Sequence, residues 1–260
     1  MRLIVLLLTL FAAPLTANAC VELEPCVLGE RSYHVLPPDG WDGQKPLSVL
    51  MHFHGWKRQG TVVVEHPRIA GATRERGVLL VAPNGQGRTW DFWRPETPDV
   101  PFARAVLEDV AARYPVDRSR IYVSGYSYGS AMAWRFVCQD GADVAALLAV
   151  AGTLLQDTHC PEAPAAVRHV HGTSDTVMDF PLGPGGDTSY PVQLWRARMD
   201  CAEGRLEGGW RVTEHDLFTR THWSCAGGEV VLDLHPRGHF IPRGWIARQL
   251  DELLAEEGAS

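Results

Sequence analysis

Short apolar runs alternate along the chain with longer stretches in which apolar residues recur at helical spacing. Leu47 to Phe53 is nearly all apolar and Val78 to Ala82 wholly so. Ile121 to Val123 and Val144 to Val150 repeat the form, and Val167 to Val170 and Val230 to Leu234 read as further strands that carry Arg168, His169 and Asp233. Runs this short, rich in β-branched residues, predict strands buried on both faces. Arg31 to Leu36 reads as an earlier strand, ended by the turn Pro37-Pro38-Asp39-Gly40. Between the runs, a helix is predicted over Thr61 to Arg76, interrupted near Pro67. A second starts from an N-cap at Asp99, with apolar positions at Val100, Ala103, Val106, Leu107 and Val110. Further helices are predicted over Ser130 to Cys138, near Val192 to Met199, and over Trp245 to Leu254, opened by Pro242. This alternation predicts an α/β fold: a mostly parallel central sheet with helices on both faces. No repeat or low-complexity segment interrupts it, so residues 20–260 are expected to form a single domain.

The first nineteen residues stand outside that pattern. Arg2 gives a positive start, Leu3 to Ala13 an apolar core, and Ala17-Asn18-Ala19 a small-residue cleavage site. This is the form of a signal peptide, and its apolar core is short for a membrane span. Export to the periplasm or the exterior is expected, without stable membrane insertion. The net charge of −7 argues against nucleic acid as a partner. Six cysteines remain after the leader, an even number in an oxidising compartment, which reads as three disulfides. No Cys-x-x-Cys pair favours zinc instead, and neither a metal nor a cofactor is expected. Cys138 ends the helix after residue 127 and Cys160 lies on the return path to the next strand, at one edge of the sheet. Cys201 ends a helix and Cys225 precedes the last strand. This placement pairs Cys138 with Cys160 and Cys201 with Cys225, leaving Cys20 with Cys26.

Candidate chemistry centres on Gly125-Tyr126-Ser127-Tyr128-Gly129, a G-x-S-x-G pattern between a predicted strand and a predicted helix. That is the setting of a nucleophile elbow, with Ser127 at a sharp turn and helix N–H groups facing its reaction centre. A serine hydroxyl needs a base, and the base an orienting acid. Asp175 follows one strand and His239 the last, both at the carboxyl edge where such sheets gather their sites. Asp157 and Asp179 are the alternative acids, Asp179 standing close enough to Asp175 to exchange roles with it. Of the other imidazoles, His171 is expected to make a structural hydrogen bond and His235 to point into packing. His159, His215 and His222 are expected in helix–strand connections. The backbone N–H groups of Trp56 and Tyr128 are the expected oxyanion donors, Trp56 following the strand end His54-Gly55. His54, Trp90 and Trp93 are candidates for the substrate cleft. The tryptophans of the loop Gln86 to Pro98 have a second reading, packing that loop onto the domain.

Several of these pieces together resemble the secreted polyhydroxybutyrate depolymerase and feruloyl esterase group of α/β-hydrolases. They are His54-Gly55, Ala82-Pro83-Asn84-Gly85, Asp99-Val100-Pro101-Phe102, Asp117 to Val123, Gly125 to Gly129, His171-Gly172-Thr173-Ser174-Asp175 and Gly238-His239. Ile241 departs from the tryptophan usual in that group, and Tyr128 is bulkier than its usual counterpart. The resemblance implies a serine esterase acting on small or oligomeric esters, hydroxyalkanoate or aryl in type. Two alternatives stand beside it: a prolyl-oligopeptidase-like peptidase, and an exported binding protein on a hydrolase fold. The connection between the strands ending at Val150 and starting at Val167 is too short for a large lid, so an open site is expected. Phe180 to Tyr190, rich in Gly and Pro, is the segment that could still fold over the cleft, though it lacks the apolar stripe of a lid.

Overall fold

A computed structural model of the chain describes residues 20, 22–155, 158–178, 190–214 and 216–256. The expected leader, Asp157, Asp179, His215 and residues 180–189 lie outside the described residues. In chain order the strands are β1 (Cys26–Leu28), β2 (Arg31–Leu36), β3 (Leu47–Phe53), β4 (Val78–Pro83) and β5 (Val116–Tyr126). They continue as β6 (Ala146–Val150), β7 (Ala166–Gly172), β8 (Arg205–Arg211), β9 (Leu217–Cys225) and β10 (Gly228–His235). All ten join one sheet in the order β1-β2-β4-β3-β5-β6-β7-β10-β9-β8. The block from β4 to β10 is parallel, while β2 and β9 run antiparallel to it at its two flanks and β1 and β8 pair antiparallel with them outside.

Every residue of β3, β4, β6 and β7 is buried, which is why β4 and β6 read as continuous apolar runs and β3 nearly so, while β7 buries Arg168, His169 and His171 among its apolar residues. The helices are α1 (Gly60–Glu65), α2 (Ala70–Arg74), α3 (Asp99–Arg113), α4 (Tyr128–Asp140), α5 (Tyr190–Arg198) and α6 (Trp245–Glu256). Alternate strand residues feed two separate cores. Val49, Met51 and Val123 pack with Val106, Trp134 and Trp195 from α3, α4 and α5. Leu50, Leu80 and Tyr122 pack with Val63, Trp245, Ile246 and Leu250 from α1 and α6 on the other face. Helices therefore cover both faces, as the alternating pattern predicts.

Thr61 to Arg76 is two short helices, broken around Pro67 as the sequence predicts. The structure departs from the sequence reading in two places. Asp99 is the first residue of α3 rather than its cap. Its carboxylate accepts from the Asp91 N–H at 2.6 Å and pairs with Arg31 at 2.7 Å, so it fastens the preceding loop. The pair β8 and β9 was not anticipated, and His222, expected in a connection, lies inside β9. Beneath that pair runs an ionic network. Arg220 grips Asp233 with two nitrogens, at 2.8 and 2.9 Å, and reaches Glu252 of α6 at 2.9 Å. Asp233 also accepts from the indole N–H groups of Trp245 and Trp210.

Disulfides join Cys20 to Cys26, Cys138 to Cys160 and Cys201 to Cys225. The connection from β6 to β7 contains no helix among the described residues, and the Cys160 bridge ties it to α4.

Candidate active site

Ser127 occupies the single residue between β5 and α4, with φ 57° and ψ −122°. An L-residue holds such a conformation only where its surroundings enforce it. Here its N–H donates to the Val150 carbonyl at 3.0 Å and its carbonyl accepts from the Ala131 N–H at 3.0 Å. The flanking glycines permit the turn for a steric reason. A β-carbon on Gly129 would sit 2.0 Å from the Phe53 carbonyl oxygen, and one on Gly125 2.2 Å from that of Gly129. The turn packs directly onto the end of β3, and only glycine leaves room for it.

Asp175 and His239 come from the loops after β7 and β10. These loops are laced together: Thr173 N–H donates to the His235 carbonyl at 2.8 Å, and Ser174 N–H to that of Arg237 at 3.2 Å. His239 Nδ1–H donates to Asp175 Oδ2 at 2.7 Å. The other carboxylate oxygen accepts from the N–H groups of Val177 and Met178, at 2.8 and 2.9 Å. Burial pushes this carboxyl up, but the Met178 N–H, the His239 ring and the Val177 N–H together hold it below the usual range. It is an anion locked in one orientation. Tyr126, immediately before Ser127, carries the imidazole to the elbow. Its ring lies 4.9 Å from the His239 ring, and its hydroxyl donates to the His239 carbonyl at 3.2 Å. Burial, then the Asp175 charge, pushes the Tyr126 phenol up to about 12, so it stays a donor.

His171 meets the same carboxylate, its Nε2 lying 3.3 Å from Asp175 Oδ2, while the Met178 carbonyl accepts from it at 2.6 Å. It thus makes a structural hydrogen bond and also flanks the acid, a contact the sequence reading lacked. His235 is buried at the end of β10, and its Nδ1 accepts from the Arg237 N–H at 3.3 Å.

Tyr128 is the first residue of α4, so its N–H has no partner within the helix and lies at the positive end of the dipole. Trp56 follows Gly55 in the loop after β3, and its ring lies 6.0 Å from that of Tyr128. His54 braces this loop. Its Nδ1–H donates to the Gly55 carbonyl at 2.8 Å and its Nε2 accepts from the Gly85 N–H at 3.0 Å. Both nitrogens are committed, and burial pushes the imidazole down to about 4. His54 is therefore a neutral strut rather than a proton carrier.

The loop tryptophans divide. Trp90 is 1% exposed; its indole N–H donates to the His54 carbonyl at 2.8 Å and its ring packs on Phe53. This corrects its expected place in the cleft, because the ring faces the core. Trp93 is 50% exposed and Trp56 55%, and Tyr128 lies against both, edge-on to Trp93 at 5.5 Å. Phe92, the third aromatic of the loop Gln86 to Pro98, is buried and supports this cluster, 5.2 Å from Tyr128 and 3.9 Å from Trp93.

No protein-family model matches the chain. Among curated proteins it is similar to feruloyl esterase C of Emericella nidulans, 29% identical over 160 residues, which is 60% of this chain and 58% of that protein. The probable feruloyl esterase C of Aspergillus flavus is 27% identical over 161 residues, 60% of this chain and 59% of that one. The chain thus spans less than two thirds of the length of these relatives. A bifunctional acetylxylan esterase/xylanase of Neocallimastix patriciarum is 25% identical over 215 residues, 80% of this chain and 31% of that protein. Among solved structures, an acetyl xylan esterase from Aspergillus awamori superposes with a TM-score of 0.67 at 14% identity, covering 86% of this chain and 94% of that one. The fluorophosphonate-binding serine hydrolase F of Staphylococcus aureus gives 0.58 at 14% identity, covering 86% and 92%. At such identities the structural likeness establishes the fold. The chain has the α/β-hydrolase fold, and its likeness in sequence is to an esterase group within that superfamily.

Proposed function

We propose that the chain is a serine hydrolase of carboxylic esters, with Ser127 as nucleophile, His239 as base and Asp175 as the acid behind it. The observation that carries this reading is the strained Ser127 turn, with the His239–Asp175 couple docked beside it through Tyr126. Because His239 Nδ1 donates to Asp175, Nε2 holds the lone pair that accepts the Ser127 proton. Ser127 Oγ then bonds to the carbonyl carbon, and the oxygen that gains charge takes the Tyr128 and Trp56 N–H groups. Removing one such donor typically costs about 3–4 kcal/mol of transition-state stabilisation. As the tetrahedral adduct collapses, His239 returns the proton to the departing alcohol oxygen. Water, deprotonated by the same ring, then releases the acid.

The exposed rings of Trp56 and Trp93 around Tyr128 suit a planar aromatic acyl group, in keeping with relatives named feruloyl esterases. Small acyl esters and hydroxyalkanoate oligomers are the other candidates. Three disulfides and the expected leader support action outside the cytoplasm. The test is hydrolysis of aryl acetates, methyl hydroxycinnamates and peptide amides by the wild type and Ser127→Ala, with fluorophosphonate labelling of both. Ester turnover and labelling should be confined to the wild type, with the variant down by about 10⁴-fold or more. Peptide cleavage in place of ester cleavage, or an active Ser127→Ala, would overturn the reading.

A further inference from the structure

Beside the candidate nucleophile lies a cavity of about 500 Å³. Gly55, Tyr126 and Phe240 form part of its wall, each the chain neighbour of a candidate catalytic group: Trp56, Ser127 and His239. The direction of proton transfer says which half of an ester this side receives. His239 must deliver a proton to the departing alcohol oxygen, so the alcohol lies on the His239 side. Phe240 and Ile241 continue the chain from His239, and the Tyr126 ring lies against it. The cavity is therefore on the leaving-group side, and the rings of Trp56, Tyr128 and Trp93 are left for the acyl half.

The cavity is basic within an acidic protein. Arg58 and Arg68 both line it. Several other guanidinium groups are matched with acids, Arg74, Arg76, Arg104, Arg113 and Arg118 among them, whereas Arg135 and Arg198 donate to backbone carbonyls. Among the described residues neither Arg58 nor Arg68 meets a carboxylate. Arg68 donates to the Ile241 carbonyl and lies 5.7 Å from the centre of the Phe240 ring, which fixes the guanidinium and leaves most of its five N–H donors uncommitted. His66, also in the wall, registers the local field: burial, then the charge of Arg68, pushes its imidazole down. Lys57 and Arg88 add further positive charge beside the same loop, Arg88 donating to the Lys57 carbonyl at 2.8 Å. Asp175, the acid whose charge reaches Tyr126, is already held by His239 and two N–H groups.

Resting on the esterase reading, we infer that this cavity is a subsite for a carboxylate carried by the leaving alcohol, held by Arg58 and Arg68. The preferred ester is then that of a hydroxy acid. Two sources supply this chemistry, a hydroxyalkanoate oligomer ending in a free acid and an aromatic acyl ester of an acidic sugar or similar hydroxy acid. Both present a carboxylate a few bonds beyond the ester oxygen.

The test uses two matched pairs with the whole chain: a 3-hydroxybutyrate dimer and a hydroxycinnamoyl ester of a hydroxy acid, each compared with its primary carboxamide. The members of a pair share the acyl group and the alcohol skeleton and differ in charge. At low salt the carboxylate member of at least one pair should have kcat/KM higher by roughly 3- to 10-fold, falling toward parity at high salt. The pair that shows the preference identifies the source. Arg58→Gln should bring the carboxylate-to-amide ratio down by about 3-fold and Arg58→Glu should push it below one. Arg58 is the residue to change first, because its exposed side chain makes no hydrogen bond among the described residues, whereas Arg68 also holds the Ile241 carbonyl. Equal rates within both pairs at low salt, or a ratio untouched by Arg58→Glu, would overturn the subsite while leaving the esterase intact. No turnover of any ester, charged or neutral, would remove the esterase reading and the subsite with it.

Discussion

Ser127 holds a backbone conformation that suits glycine better than serine, and its reward is a hydroxyl lifted clear of the sheet edge. Stability and chemistry are opposed at this one residue. Ser127→Gly should abolish ester hydrolysis yet raise stability by about 1 kcal/mol, a net of strain relieved against the freer unfolded chain. Thermal melting checks it: the midpoint should rise by about 2–4 °C, and an unchanged or lower midpoint would show that the turn is unstrained. The turn was legible beforehand because its demand for small flanking residues is written as Gly125 and Gly129. The loop tryptophans were not. Trp90 and Trp93 differ in position by three residues and by nothing else in the sequence, and the hydrogen bond from Trp90 to the His54 carbonyl decides which one turns inward. Nor could spacing reveal that Tyr126 links the elbow to His239, since that contact joins the end of β5 to a loop far along the chain.

At the scale of elements, the connection after β6 governs access. It carries no helix among the described residues, and the bridge from Cys160 to Cys138 fastens it to the end of α4. A segment so tied has little freedom to swing over the elbow. Rates on long-chain esters should therefore follow ordinary saturation through the solubility limit, and a jump in rate on passing that limit would reveal a lid. The buried parallel strands were readable as apolar runs, whereas β8 and β9 were not. In β9 the buried positions include Arg220 alongside Phe218 and Trp223, so the alternation that marks a half-buried strand is broken by a charge. In β8 nearly every residue is exposed and two adjacent glycines remove what side-chain signal is left.

For the molecule as a whole, buried imidazoles set the limit on the acid side, His34, His169 and His171 being lowered by burial as well as the three that follow. His52, His54 and His235 are buried, and burial pushes them down to about 3, 4 and 4. Each is lowered in the folded state, so between that value and the unfolded value near 6.5 the unfolded chain binds more protons. Their contribution is complete above that range and declines as pH falls toward 4. Near pH 5 each should already have lost about 2 kcal/mol of its contribution relative to pH 7. Urea midpoints measured across this interval should fall steadily, and His54→Gln should flatten the dependence; a midpoint constant from pH 7 to 5 would contradict it. The ionic network under β9 carries a different consequence, for how the chain finds its strand pairing. Arg220 and Asp233 stand directly opposite each other across β9 and β10. If β9 slipped by one residue, Thr219 or Thr221 would face Asp233 and Arg220 would turn to solvent. The carboxylate would then be sealed in a dry layer without its guanidinium, at a cost of about 3–5 kcal/mol. Burying the pair adds little to cohesion; it proofreads the pairing, because only the native register of β9 on β10, the strand that leads to the loop bearing His239, leaves Asp233 with its guanidinium.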